Sequence, residues 1–175
     1  MVERITMNKS VNLGYDEKVG DLIGKRWGYD IHRDMISKNY MEIAVYDRKK
    51  FRTGTISWDT VEHRIVVWLG LSKVNGAWHV DMVEVDSRYK GKKLANKLYR
   101  FLMKTLGITM MAGSSQSVGG RYIWNALAKD REITVYSKKG LYSKFVDFPT
   151  AGERELKGNL FTLYDSKAVI FAVAA

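Results

Sequence analysis

The 175-residue sequence predicts an α+β fold, a mixed and mostly antiparallel central sheet with helices on both faces, in one domain spanning residues 1–175. Three observations predict it. Between residues 41 and 86, apolar residues alternate or run continuously over strand lengths, with polar, glycine-bearing breaks between them. From Gly91 to Lys104 the spacing becomes that of an amphipathic helix. After that helix, strand-length and helix-length segments alternate, as crossover connections require.

The elements follow in order. From Val19 to Lys38, Leu22, Ile23, Trp27, Ile31, Met35 and Ile36 recur at helical spacing and predict a helix, weakened by Gly20, Gly24 and Gly28. Met41 to Asp47 reads as a strand, followed by a polar turn to Lys50. Phe51 to Asp59 alternates as a second strand, with Gly54 at a bulge. The apolar run Arg64 to Leu71 is a well-buried strand, Ser72 to Gly76 a hairpin turn, and Ala77 to Asp86 the next strand. On the helix from Gly91 to Lys104, Leu94, Leu98, Phe101 and Leu102 form one apolar face, with a basic stripe of Lys93, Lys97, Arg100 and Lys104 beside it. Gly107 is its natural stop.

Ile108 to Gly113 then reads as a strand, Arg121 to Asp130 as a helix with Ile123, Trp124 and Leu127 inward, and Arg131 to Tyr136 as a strand. Residues 137–158 are irregular. Leu160 to Asp165 and Ala168 to Ala175 read as a C-terminal hairpin. Trp58, Trp68 and Trp78 fall on successive strands and are assigned to the core.

Composition bounds the function. There is no cysteine, so disulfides, thiolate metal sites and a cysteine nucleophile are excluded. The first ten residues lack the apolar stretch of a signal peptide, and no apolar run reaches the ~20 residues of a membrane span, so the expected setting is cytoplasmic. The net charge is +10, from 29 basic and 19 acidic residues. Seven cations (Arg88, Lys90, Lys92, Lys93, Lys97, Arg100, Lys104) crowd one segment without an acidic residue. A basic turn feeding a helix N-terminus holds an anion: nucleic acid, an acidic protein surface or a phosphorylated cofactor.

The segment MVEVDSRYKGKKLANKL resembles the acyl-CoA-binding motif of the GCN5-related N-acetyltransferase (GNAT) superfamily, a strand ending in valine, a few polar residues, then Arg/Gln-x-x-Gly-x-Gly/Ala opening a helix. Val85 is the strand valine, Lys90 stands at the Arg/Gln position, Lys93 at the middle glycine and Ala95 at the last Gly/Ala position. The element order from about residue 40 to 136 is also that of the superfamily. The resemblance implies a GNAT-like acyl-CoA N-acyltransferase fold with acetyl-CoA as acyl donor and no metal. It implies that Lys90, Gly91, Lys92, Lys93, Leu94 and Ala95 hold the pyrophosphate, that Val83 and Val85 pair with the pantetheine arm, and that Ser114 hydrogen-bonds the pantetheine or the acceptor. Two lysines depart from the pattern, at 90 and 93. Ser114 to Arg121 and the tryptophan-bearing helix after it resemble segments of bacteriophage-encoded members, which would put the protein in a host cytoplasm.

The resemblance also implies where chemistry sits. The base is a carboxylate on the strand before the turn, Asp81 or Glu84, which lie on opposite faces because strand side chains alternate. His79 shares a face with Asp81 and is a candidate proton relay. The usual acid is a tyrosine in the following helix. Trp124 occupies that position, and Tyr122, two residues away, is the candidate acid. The implied activity is transfer of an acetyl group to a primary amine by direct attack in a ternary complex, the acceptor being a protein, a small amine or an aminoacyl-tRNA. The alternative is a catalytically silent scaffold that binds nucleic acid or an acidic protein through the basic helix. A homodimer is compatible with either.

Overall fold

The computed structural model describes residues 20–47, 65–113, 117–139, 154–155 and 168–175. The stretch expected to be the first helix is instead a pair of strands, β1 (Asp21–Arg26) and β2 (Tyr29–Ser37), antiparallel in register Arg26↔Tyr29 to Asp21↔Arg33. The glycines explain the reversal. Trp27 and Gly28 both have positive φ (55° and 86°), the backbone of a two-residue hairpin turn whose twist matches the flanking strands. Register shifts between Leu22 and Gly24, a bulge. A Cβ on Gly20 would lie 2.4 Å from the Arg33 carbonyl oxygen, so the neighbouring strand approaches as only glycine permits. The helical spacing of apolar residues had no buried stripe behind it: Leu22, Trp27, Met35 and Ile36 are exposed, and Ile31 is fully buried.

β3 (Tyr40–Asp47) pairs antiparallel with β2. β4 (Ile65–Val74) and β5 (Ala77–Val85) are joined by Asn75 and Gly76, again both at positive φ, so the expected turn contracts to two residues and Ser72 becomes part of a strand. A 3-10 turn (Ser87–Tyr89) leads to α1 (Leu94–Leu106), which ends on Gly107 in the left-handed conformation as expected. Then come β6 (Met110–Met111), shorter than expected, α2 (Val118–Ala128), which starts three residues early, β7 (Ile133–Lys139), β8 (Arg154–Glu155) and β9 (Ala168–Ala174). The strands expected at Phe51–Asp59 and Leu160–Asp165, and the turn at 48–50, lie outside the described residues.

The strand order is β1-β2-β3-β4-β5-β6-β9-β7-β8. β5 and β6 are parallel, whereas β9 is antiparallel to both β6 and β7. The sheet is therefore mixed and mostly antiparallel, with β5-α1-β6 as the crossover. β9 lies between β6 and β7 in the sheet, and the other arm of the expected C-terminal hairpin lies outside the described residues.

The chain forms two compact units, one from residues 1–70 and 82–92, the other from 71–81 and 93–175. In the first, Ala44, Tyr46, Ile65 and Trp68 form a buried cluster against which Met82 packs. In the second, Ala77, Met111, Tyr136 and Phe171 are the centre of another. The apolar face expected on α1 is buried there, with Leu98 and Leu102 fully so, and Tyr99 meets Trp124 of α2 edge to face at 6.1 Å. Trp68 and Trp78 are buried, as expected of core residues.

Candidate active site

The turn after β5 is built by its own polar residues. Asp86 closes it: the Asp86 carboxylate accepts the Arg88 amide at 2.9 Å and the Arg88 guanidinium at 3.0 and 2.5 Å. This pairing raises the Arg88 guanidinium further above its already high range. The Asp86 amide donates to the Val66 carbonyl at 3.0 Å. Tyr89, buried, anchors the turn to β3 by donating its hydroxyl to Asp47 Oδ2 at 2.5 Å, and its ring meets Tyr29 of β2 edge to face at 6.1 Å. Burial, then the bond to Asp47, pushes the Tyr89 hydroxyl up to about 12. The Lys92 ammonium lies 4.7 Å from the Tyr89 ring centroid, a cation–π contact that holds its stem against the turn.

Beyond Tyr89 the backbone alternates in hand. Gly91 has φ +82° and Lys93 φ +57°, while Lys92 and Leu94 are on the ordinary negative side. Between them the Lys92 amide donates to the Tyr89 carbonyl at 3.3 Å and closes the turn. The helix ladder opens with the Lys97 amide donating to the Lys93 carbonyl at 3.0 Å. The amides of Leu94, Ala95 and Asn96 thus belong to the first turn, where a helix has no internal acceptor for them, and Lys93 offers no side-chain cap. Lys90, Gly91, Lys92 and Lys93 are exposed around these donors, and a Cβ built on Gly91 meets nothing within 4 Å. The residues fit a pyrophosphate through an uncapped helix N-terminus and exposed ammonium groups.

Lys93 is thus a lysine held in the left-handed backbone conformation that favours glycine. Its φ is left-handed, which costs a non-glycine residue about 1 kcal/mol.

Along β5, burial alternates. Trp78 and Val80 are buried, and Met82 packs on the cluster of the first unit. His79, Asp81, Val83 and Val85 share the opposite side of the strand by alternation. Asp81 Oδ1 lies 2.7 Å from His79 Nδ1 and accepts the Ser72 hydroxyl at 2.9 Å. Glu84 is exposed on the other side. The β5–β6 ladder consists of Trp78↔Met110 and His79↔Met111, so Val83 and Val85 lie past its last rung. Trp124 is 1% exposed and packed against Tyr99, and Tyr122 is 67% exposed. Ser114 lies outside the described residues. His79 and Ser72 are brought to Asp81, and Tyr89 and Asp47 support the turn. The pairing of Tyr89 with Asp47 joins residues 42 apart in sequence, which no local pattern signals.

The basic stripe of α1 has local partners. The Arg100 guanidinium pairs with Asp130 at 2.9 Å, and the Lys104 ammonium pairs with Glu132. These acids follow α2, so two cations expected to form a macromolecule-binding face are matched within their own unit. Among the described residues, no group of three or more histidines and carboxylates is arranged to hold a metal ion, and no helix is long and apolar enough to cross a membrane.

No family model matches the chain, and no curated protein matches it. Among solved structures it is similar to the ribosomal-protein-S18-alanine N-acetyltransferase from Escherichia coli, with a TM-score of 0.39 and 15% identity over 79% of this chain and 70% of that one. It is similar also to nourseothricin acetyltransferase (TM-score 0.39, 11% identity, 78% of this chain and 66% of that one). An aminoglycoside 6′-N-acetyltransferase complexed with coenzyme A has a TM-score of 0.33 and 14% identity over 80% of this chain and 75% of that one. At this level the likeness adds nothing to what the strand order and the turn say by themselves.

Proposed function

We propose that the protein is an acetyl-CoA-dependent N-acetyltransferase that acetylates a primary amine by direct attack. One observation carries the reading: the first-turn amides of a 13-residue helix that has no side-chain cap, with exposed lysines just before it. A diphosphate fits those amides, with the ammonium groups of Lys90, Lys92 and Lys93 around it. Val83 and Val85 supply strand edge to the pantetheine arm. Acetyl-CoA, when bound, contributes the thioester that is attacked. The chain's own contribution is to hold the donor, orient the acceptor and take up the proton, and the proton-accepting end of the site is on β5 at Asp81 with its hydrogen-bonded partners. Glu84, exposed on the other side of the strand, is the weaker candidate, and so is Tyr122 as an acid. The alternative of a silent scaffold binding nucleic acid or protein through α1 is not favoured, because Arg100 and Lys104 are engaged by Asp130 and Glu132.

Isothermal calorimetry with CoA and acetyl-CoA tests the first step. Binding that weakens with added salt is expected, and its absence removes the reading. Mass spectrometry then follows transfer to a panel of amines: a lysine peptide, a peptide N-terminus, a polyamine and an aminoacyl-tRNA.

A further inference from the structure

Resting on the acyl-transfer reading above, we propose that His79 is the catalytic proton acceptor, with Asp81 and Ser72 as the residues that position it. Asp81 Oδ1 is 2.7 Å from His79 Nδ1 and receives the Ser72 hydroxyl at 2.9 Å. An ionised carboxylate only accepts hydrogen bonds, so this contact puts the neutral imidazole's proton on Nδ1 and leaves the Nε2 lone pair bare. That is the division of labour of a base and its orienting carboxylate. Asp81 Oδ1, with two donors already on it, is the poorer place to deliver a third proton. The His79 side chain is 18% exposed and that of Asp81 36%, so the imidazole is the more enclosed of the pair.

The proposed step balances. The lone pair of the neutral amine forms a C–N bond to the thioester carbonyl carbon, and an N–H proton passes to His79 Nε2. The C–S bond breaks with its electron pair on sulfur. The imidazolium returns the proton from Nε2 to that thiolate, so the products are the amide and the free thiol of CoA, and His79 regains its starting tautomer. One residue serves as base and then acid. A separate tyrosine acid is not needed, in agreement with a buried Trp124 at the usual tyrosine position and a Tyr122 that is mostly in solvent.

Three experiments on the full chain test this. Nitrogen-15 spectra of the three histidines should show one with the proton on Nδ1 and a bare Nε2, absent in His79→Gln and altered in Asp81→Asn. With spermidine and a lysine peptide as probe acceptors, thiol release from acetyl-CoA should fall about 100-fold or more in kcat in His79→Ala, with KM for acetyl-CoA unchanged. Added imidazole should restore it. Asp81→Asn should lose about tenfold or more in kcat without imidazole rescue, and Ser72→Ala only a few-fold. Full activity in His79→Ala, or a deeper loss in Asp81→Asn than in His79→Ala, overturns the assignment in favour of the carboxylate. A His79 with its proton on Nε2 in the free protein overturns it without any acceptor. Failure of CoA to bind in calorimetry is a different result, which removes the acyl-transfer reading itself.

Discussion

α1 and α2 begin in opposite ways. α2 is closed by its own sequence: Ser117 is the N-cap, and its hydroxyl accepts the Gly120 amide at 3.1 Å. α1 begins on Lys93, a residue in the left-handed conformation with no side chain turned back to the first amides, and it follows a glycine also at positive φ. One helix start satisfies itself, and the other presents its donors and its positive dipole end outward with lysines around it. A start left open in a 13-residue helix gives up about 1 kcal/mol of capping, which an external anion can restore.

The largest expected effect breaks this contrast at the open end. Gly91→Trp should abolish CoA binding in calorimetry, because it puts a bulky side chain in the exposed turn at a φ of +82° that only glycine adopts without strain. The support beneath the turn comes next. Tyr89→Phe removes the donor to the Asp47 carboxylate and should destabilise by about 2 kcal/mol in thermal unfolding.

The same hydroxyl makes stability depend on alkali. Its folded value, about 12, lies above the ordinary 10.0, so the folded state favours the protonated tyrosine. That contribution is whole below pH 10 and is lost as pH rises through about 12, so the melting temperature should fall in this window, less so in Tyr89→Phe.

At the closed end, Ser117→Ala should cost about 1 kcal/mol and leave CoA affinity unchanged, and a loss of affinity would break the distinction between the two helix starts. Smallest is Lys93→Gly, expected to stabilise by about 0.5 kcal/mol as relief of the left-handed strain outweighs the greater freedom of the unfolded glycine. Lys93→Ala keeps the strain and should not stabilise. Comparing the salt dependence of CoA binding in the two variants then separates charge from backbone.

Much of the region around the turn was legible in the sequence because its signals are local. The turn ending at Gly76, the stop at Gly107 and the Leu94/Leu98/Phe101/Leu102 face each follow from one residue's conformational preference or from spacing within a few turns. The stretch from Val19 to Lys38 was misread for an equally physical reason. Its apolar residues fit helical spacing, but a hairpin's stability comes from its partner strand. Trp27-Gly28 and the close approach at Gly20 mark that hairpin only once Arg33 is known to lie opposite. The basic stripe of α1 illustrates a second limit. Spacing aligned Arg100 and Lys104, but Asp130 and Glu132 come to meet them only when α2 folds back.

By itself the sequence determined most of the alternation of strands and helices, the basic, glycine-bearing turn between β5 and α1, and the carboxylates on β5, since these depend on period, charge and glycine content over short stretches. The tertiary structure alone decided that Lys93 takes the conformation of a glycine, that Tyr89 is tied to Asp47, and that Asp81 is shared by His79 and Ser72. Each of these depends on where a distant or neighbouring strand holds its backbone, and a side chain's role is set by the partner it reaches as much as by its own chemistry.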